Sequence, residues 1–409
     1  MKIIVISAVA AATLMGGGYA IPESSINATA LSAAYIANAH GADAAYYNPA
    51  AMVYNEDAQL LEVDTTYIGL SAIDFSGTTG NYSSKKENFL VPSFHYTSKK
   101  LGDNGARVGF SIVVPAGLSK RWDNVTPKAT AEEFTLETVE FNPSVAIPLS
   151  DTVSMGVGFR VISSSGVVKA SRTGVYSQNM TGNSVDYGYN LALMYKPTSA
   201  FNLAATYRSK VNLSVEGSAD LAHTGGLIPG DPLPTFSGNY GASVTIPSPA
   251  TLNLAVAYTF DSGTTVEAVY EKTYWSAYKS LNFDFTNPYA EGFFGGVKPK
   301  NWENTNTYRL GLTQKYDKWT AMAGIAYDET PVPESTLGYE LPDSNAWIVS
   351  LGGRYQINQS WNIGLAGLVD MKKDRTVHQS LSSTNNNPIN GEFSNARAYL
   401  VTAGIEYRF

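Results

Sequence analysis

Ala396-Arg397-Ala398-Tyr399-Leu400-Val401-Thr402-Ala403-Gly404-Ile405-Glu406-Tyr407-Arg408-Phe409 ends the chain, and the way it divides into two faces decides the fold. In an extended strand successive side chains point to opposite sides, so residues two apart share a face. One face carries Arg397, Tyr399, Val401, Ala403, Ile405, Tyr407 and Phe409; the other carries Ala398, Leu400, Thr402, Gly404, Glu406 and Arg408. Beyond Arg397 the first face is apolar and aromatic, and the second is mostly small or charged. The same split recurs upstream. Trp347, Val349, Leu351, Tyr355 and Ile357 oppose Ser350, Gly352, Arg354 and Gln356. Val153, Met155, Val157, Phe159 and Val161 oppose Ser154, Gly156, Gly158 and Arg160, and Leu252, Leu254, Val256, Tyr258 and Phe260 oppose Asn253, Ala255, Ala257 and Thr259.

Extending this period-two reading along the chain gives strands near 58–71, 88–98, 107–117, 134–147, 152–163, 184–195, 201–214, 250–260, 265–275, 305–316, 319–328, 345–357, 361–371 and 396–409. The count, fourteen, is even. Long connections (72–87, 118–133, 164–183, 215–249, 276–304, 329–344, 372–395) alternate with brief ones such as Asp317-Lys318 and Asn358-Gln359-Ser360. A soluble sandwich or solenoid would put charge outside and apolar residues inside. Here Arg160, Arg208, Arg309, Arg354, Asp370, Glu406 and Arg408 fall on the face opposite the Tyr, Trp, Leu and Val. A greasy outside around a charged inside needs a bilayer, and only closed barrels let strands cross one. The expectation is an all-β, 14-stranded antiparallel transmembrane barrel over residues 58–409, with both termini periplasmic.

Composition agrees. Of 409 residues only 15% are charged, 28 Lys plus Arg against 35 Asp plus Glu, and Gly, Ser, Thr, Asn and Tyr take their place. A net charge of −7 argues against a nucleic-acid partner. The absence of cysteine excludes disulfide scaffolds, thiolate metal sites and a lipidated N-terminal cysteine. At the N-terminus, Lys2, the apolar run Ile3 to Leu14 and the small residues of Gly18-Tyr19-Ala20 read as a signal peptide over 1–20, leaving Ile21 as the mature start. The run is too short for a membrane anchor.

Residues 21–57 do not alternate. Asn27 reads as the cap of a short helix through Ala28 to Ala39, Gly41 as a residue of positive φ, and Asn48-Pro49-Ala50 as a rigid turn. Fourteen strands leave a lumen wider than their own side chains fill. A compact, small-residue segment is therefore expected inside as a plug; a loose periplasmic tail is the alternative.

Asn48-Pro49-Ala50 before the first strand resembles the hatch of the FadL family (the FadL/OmpP1/TodX group) of outer-membrane channels for long-chain fatty acids and other hydrophobic compounds. Further motifs follow in the family's order: Val91-Pro92 with His95, Gly109-Phe110-Ser111-Ile112 leading to Pro115-Ala116-Gly117-Leu118, and Asn142-Pro143-Ser144-Val145-Ala146. Tyr274-Trp275-Ser276, Trp302-Glu303-Asn304-Thr305 before Tyr308-Arg309-Leu310-Gly311, Gly324-Ile325-Ala326-Tyr327-Asp328 with Pro331-Val332-Pro333, and Leu341-Pro342-Asp343 complete the set. Two positions depart: Ala116 stands where the family often has an aromatic, and Glu303-Asn304 where it often has Lys-Asp. The terminal Phe409 is similar to the signature that outer-membrane barrels present to the barrel-assembly machinery.

The resemblance implies passive uptake through a Gram-negative outer membrane. Ligand would be captured between external loops, held in an apolar pocket, released by a hatch at Asn48, Pro49 and Ala50, and passed sideways near the third strand. Pro92, Pro115 and Gly117 mark that exit, since proline removes a ladder hydrogen bond wherever it sits in a sheet. Phe285, Phe293, Phe294 and Trp302 are candidate ligand-lining residues in the loop 276–304, with mutual packing of loop tips as the alternative. Lys169 and Arg172 are the candidate carboxylate contacts. The expected partners are a long-chain fatty acid or other hydrophobic small molecule, outer-membrane lipid and lipopolysaccharide; the chain is expected to be a monomer without cofactor or metal. Aromatic hydrocarbons are the alternative substrates. A non-selective porin is disfavoured by the plug. An outer-membrane lipolytic enzyme is disfavoured because His40, His95, His223 and His378 lie in no Gly-x-Ser-x-Gly or His-Glu-x-x-His setting.

Overall fold

The computed structural model describes residues 17–224, 234–381 and 387–409; most of the signal-peptide reading, 1–16, lies outside the described residues. The chain forms a closed antiparallel barrel of 14 strands. They are β1 (Leu60–Leu70), β2 (Glu87–Thr97), β3 (Arg107–Val113 and Gly117–Arg121), β4 (Glu133–Pro148), β5 (Val153–Arg172), β6 (Tyr176–Tyr195) and β7 (Phe201–Arg208 and Val211–His223). The remainder are β8 (Phe236–Ser248 and Thr251–Thr259), β9 (Thr264–Thr273 and Ser280–Phe285), β10 (Gly296–Pro299 and Thr305–Lys315), β11 (Trp319–Asp328), β12 (Ala346–Gln356), β13 (Trp361–Lys372) and β14 (Arg397–Arg408). Pairing of β1 with β14, from Leu60 opposite Arg408 to Leu70 opposite Ala398, closes the ring.

Polarity is inverted throughout. Tyr67, Phe159, Tyr187, Leu310, Leu351 and Val401 are exposed, while Glu62, His95, Arg160, Arg309, Arg354 and Thr402 are buried. Ring pairs collect at the strand ends: Trp319 with Tyr355 at 4.5 Å and Trp361 with Tyr407 at 4.4 Å on the short-turn side, Tyr327 with Trp347 at 5.0 Å on the other. Such girdles are where amphipathic rings settle at the two interfaces of a bilayer.

Above the barrel the strands run on where long loops were expected. β5 and β6 stay paired up to Arg172 opposite Tyr176, across Ser163, Ser164 and Ser165. Beyond the bilayer the outer face meets water while Ser164, Ala170, Gln178 and Met180 stay buried on the inner one, so the backbone ladder persists after the apolar exterior that betrays it has ended. Strands Asp74–Gly77, Gly80–Ser83, Arg375–His378 and Asn390–Ser394 form a separate sheet of four on this side.

Candidate functional site: an occupied lumen beside an open seam

The N-terminal segment is threaded through the lumen and bonded to inward side chains from all round the ring. Arg354 of β12 donates from Nε to Asn27 Oδ1 at 2.7 Å, and Arg309 of β10 donates from Nη1 to the Ser32 carbonyl at 3.0 Å. Ser154 of β5 donates to the Ala50 carbonyl at 2.8 Å, and Ser144 of β4 to that of Ala45 at 3.2 Å. Glu267 of β9 accepts three successive amides, Ile36 at 2.7 Å, Ala37 at 2.5 Å and Asn38 at 3.2 Å. A row of backbone N–H groups converging on one carboxylate is an anion nest, supplied here by the segment and filled by the barrel.

These contacts explain why the first helix is shorter than the Ala-rich run suggests. α1 covers only Ile26–Ala30, capped by Ser25, whose Oγ accepts from Ala28 N at 3.2 Å. Asn27, expected as the cap, donates to Asp43 Oδ2 at 3.0 Å and to the Tyr35 hydroxyl at 2.9 Å. Ser32 and Ala33 then take left-handed φ values of 49° and 59°, which turns the following amides toward Glu267. Side-chain residues pay about 1–2 kcal/mol each to sit there, so the turn is held by its tertiary partners rather than by local preference. α2 (Ala44–Tyr47) and a 3-10 turn, Pro49–Tyr54, complete the segment. Asn48, between them, donates to the Ile36 carbonyl at 2.8 Å.

Asp43 is the segment's hub, accepting also from Ser25 Oγ at 2.8 Å and Tyr35 OH at 3.0 Å. Burial, with Glu62 and Glu406 beside it and Arg354 only partly offsetting them, pushes its pKa up to about 8. Burial does the same to Glu23, also to about 8, despite Arg309. A carboxyl whose pKa is raised on docking binds protons more tightly docked than free. It stabilises the docked segment fully below its ordinary pKa, and that contribution is lost as pH rises through about 8. Amide hydrogen exchange over residues 26–48, corrected for intrinsic rate, should therefore be faster at pH 9 than at pH 6. Asp43→Asn should reduce the difference, leaving the share that Glu23 contributes; an unchanged pH slope in that variant would assign it elsewhere.

One cavity joins the parts. About 110 Å³ of free space is bounded by Ile21, Ala33, Ile36, Tyr46, Tyr47 and Pro49 of the segment, by Arg160, Arg208, Arg309, Trp275 and Glu271 of the wall, and by Pro115 and Ala116. Glu140 is shared by two cations: Arg160 Nη2 lies 2.9 Å from Oε2, and Arg208 pairs with Oε1 while its guanidinium stacks 4.1 Å over Tyr46. Arg309 meets Glu271 at 3.4 Å. Three guanidinium groups thus reach the cavity wall, two of them sharing the Glu140 carboxylate, with Glu271 and Asp328 beside them.

Pro115 and Ala116 bring the cavity to a seam. β2 and β3 are paired only from Phe94–Thr97 to Gly109–Ile112. β3 then breaks at residues 114–116; its upper half, Gly117–Arg121, forms a ladder with β4 only, and its other backbone bonds are single ones, Gly117 N to the Tyr19 carbonyl and Lys85 N to the Arg121 carbonyl. The wall between the upper halves of β2 and β3 thus lacks a ladder. Gly117 begins the upper half, and Pro92 faces outward on β2 opposite Thr65 of β1.

Other candidate residues land elsewhere. Lys169 and Arg172 are not at the cavity. Lys169 Nζ is held 2.7 Å from Glu133 Oε2, and Arg172 is exposed beside the β5–β6 turn, because β5 extends beyond the membrane instead of ending in a loop over the mouth. The cations that do reach the cavity, Arg160, Arg208 and Arg309, were visible as inward positions of strands but carried no other signal. Phe285, Phe293 and Phe294 pack together around α4 (Pro288–Phe294), with Phe293 4.1 Å from His223 and 5.6 Å from Tyr176. They form an external cluster and do not line the cavity, which is the loop-packing alternative. Trp302 alone of the four lies against the interior, 5.0 Å from Trp275. Among the described residues no group of three or more His, Asp and Glu is placed to hold a metal ion.

A closed fourteen-stranded barrel with apolar exterior, an occupied lumen and a lateral break is a channel for hydrophobic molecules in an outer membrane. The family comparison gives the particular kind: residues 6–409 match the family described as outer membrane protein transport protein (OMPP1/FadL/TodX), and the chain belongs to it. It is similar to the long-chain fatty acid transport protein of Escherichia coli K12, at 24% identity over 82% of each chain, and to that of Salmonella typhi, at 26% over 78% of this chain and 76% of the other. In fold it is similar to a Pseudomonas aeruginosa FadL homologue (TM-score 0.84, 20% identity, 95% of this chain and 99% of that one). It is likewise similar to the Pseudomonas putida toluene transporter TodX (TM-score 0.68, 17% identity, with the same coverage). The family is one of transport proteins, which sets the chain in the outer membrane of Gram-negative bacteria as a channel for hydrophobic small molecules.

Proposed function

We propose that the chain is a passive uptake channel for long-chain fatty acids. The observation that carries this reading is a cavity walled at once by the N-terminal segment, by guanidinium groups and by the break in β3. An alkyl chain gains about 0.8 kcal/mol per buried methylene, so apolar walls alone give affinity. The guanidinium groups add what an acid head needs, and the seam gives it a way into the bilayer without crossing the periplasm. The segment is the hatch, with Asn48, Pro49 and Ala50 as its rigid turn. Its rearrangement releases ligand, driven only by the concentration gradient. External loops gather the ligand; both termini and the short turns face the periplasm. The protein acts as a monomer among lipid and lipopolysaccharide, assembled from Phe409 by the barrel machinery.

Aromatic hydrocarbons are the second reading, favoured by Tyr46, Tyr47 and Trp275 on the cavity wall. Arg208→Leu separates the two. Arg160 still pairs with Glu140 in that variant, so no buried carboxylate is stranded. A charge-assisted hydrogen bond contributes about 1.5–3 kcal/mol, so oleate binding should weaken roughly 10- to 100-fold while toluene binding stays within about twofold. Equal losses for both ligands, or none, would remove the acid head from this wall. Competition between oleate and toluene for the purified wild-type protein, followed by oleate uptake in a strain lacking its own channel, tests the substrate directly.

A further inference from the structure

The lipid-facing rim over β2, β1, β14 and β13, on the side of the long connections, carries cations that the transport reading leaves unused. Trp347, Met371 and Arg397 stand opposite one another on β12, β13 and β14, all on the outer face. Arg397 is tied to β1: its amide donates to Ser71 Oγ at 2.8 Å, and its carbonyl accepts from Ser71 N at 3.0 Å. Lys86 comes just before Glu87 of β2, whose partner on β1 is Leu70, so it falls beside Ser71. Lys373 follows β13 and lies 5.3 Å over the Tyr327 ring. All three cations are exposed. Among the described residues none of them is ion-paired, whereas elsewhere on this side Lys85 pairs with Asp123, Lys128 with Glu132 and Lys169 with Glu133. The acids adjacent in sequence are engaged: Glu87 faces inward to Ser119 and Arg121, and Asp374 accepts from Asn395 N at 3.3 Å.

In a chain of 28 basic and 35 acidic residues a cation seldom lacks a carboxylate nearby, so three neighbouring ones without a partner point to an anion from outside the chain. Tyr67, Tyr399 and Trp347 are exposed to lipid at the same end of these strands, and the Tyr67 hydroxyl donates to Asn88 Oδ1 at 2.5 Å. Rings with polar tips mark the interface of a bilayer, which sets the cations at the level of the headgroups. From β2 to β13 there are three strand spacings, about 14 Å, the reach of a disaccharide with a phosphate at each end. We propose that this rim binds the head of a bisphosphorylated glycolipid of the outer leaflet, with one phosphate between Lys86 and Arg397, the other at Lys373, and the acyl chains against Leu90, Tyr399 and Val349. The planar fork of Arg397, at the centre, suits two-point contact with phosphate oxygens. A lipid with one phosphate engages only one end of the row. The proposal rests on the reading that the long connections are external, and it names the lipid which that reading leaves general.

The test titrates protein purified from outer membranes, exchanged into detergent, with bisphosphorylated lipid A, with its monophosphoryl form and with phosphatidylglycerol, and counts bound lipid by native mass spectrometry. Bisphosphorylated lipid A should bind at least about tenfold more tightly than either of the others. Lys86→Gln, Lys373→Gln and Arg397→Gln should each weaken it about fivefold, and the three together roughly a hundredfold. Lys210→Gln, which removes an exposed lysine between the two halves of β7, should stay within about twofold. Heat modifiability checks that each variant is folded, and the single variants carry the test should the triple fail to insert. Equal affinity for the three lipids, a preference for phosphatidylglycerol, or a loss in Lys210→Gln matching that in Arg397→Gln would each overturn the proposal. Ser76→Cys, at an exposed position of the separate sheet on this side, distinguishes the failures. A membrane-impermeant maleimide should label it on intact cells; label without lipid A binding removes the site alone, and no label removes the external reading together with the site.

Discussion

Oxidising an Ala34→Cys, Gly311→Cys pair should reduce oleate uptake to the level of cells without the channel, and reductant should return it to within about twofold of wild type. The chain has no cysteine of its own, so the pair would be the only one present. A Cβ built on Gly311 of β10 lies 3.0 Å from Ala34 Cβ. A disulfide asks for about 3.5–4.5 Å, so the two backbones need part by only a few tenths of an ångström. Ala34 follows directly on the left-handed pair Ser32 and Ala33, and precedes the amides held by Glu267. The bond would therefore pin the stretch whose conformation depends on barrel contacts and which must let go if the hatch rearranges. The docked structure already contains the near approach, so oleate binding should survive oxidation even as passage stops. Uptake at the wild-type rate under oxidising conditions, with the disulfide verified by mass, would show that ligand passes without this part of the segment leaving the wall.

The barrel was legible because the bilayer imposes the same demand on every residue of every strand. Tyr399, Val401 and Ile405 face lipid while Thr402 and Glu406 face inward, and a one-residue slip would exchange the two sets. Where that demand stops, so does legibility. Ser163–Ser165 and Asn179–Asn183 belong to strands that water solvates on the outside, and nothing in their polarity separates them from loop. The misplacement of Lys169 and Arg172 follows from that one error, since a lengthened β5 carries them away from the mouth. Phe285, Phe293 and Phe294 show a different limit. Aromatic residues outside the membrane are a signal of burial, but composition does not say whether a ligand or a neighbouring loop does the burying, and here it is Tyr176, His223 and Phe236. The N-terminal segment shows a third. The Ala-rich run has every local reason to continue as helix past Ala30, yet Arg309, more than 270 residues away, holds the Ser32 carbonyl, and Glu267 holds the amides beyond it. A carboxylate filling a nest made by another part of the chain leaves no mark in either segment alone. The broken third strand, by contrast, could be read from Pro115, because the loss of a backbone donor is local chemistry.

Gly117→Trp should abolish uptake while leaving the barrel folded and its ligand bound. The lower half of β3 is paired on both sides, to β2 through Phe94–Thr97 and to β4 through Arg107–Val113. The upper half keeps one strand partner, Gly117 to Arg121 against Glu137 to Glu133, while toward β2 it makes only separate contacts, Ser119 and Arg121 with Glu87 and the Arg121 carbonyl with Lys85 N. Gly117 is buried at the mouth of the gap, directly after the Pro115 and Ala116 that border the cavity. An indole there takes the volume through which a ligand would move from cavity to bilayer, and it does so without removing any ladder hydrogen bond of β3 with β4. The expected result is heat-modifiable, correctly inserted protein, an oleate affinity within about threefold of wild type, and uptake below about a twentieth of it; Gly117→Ala, adding one methyl group, should keep at least half. That split between binding and passage is what distinguishes a blocked exit from a damaged pocket, since loss of a pocket contact would weaken binding first. Uptake that survives the indole would mean the ligand leaves the lumen by another route, and the seam between β2 and β3 would then be a structural break only.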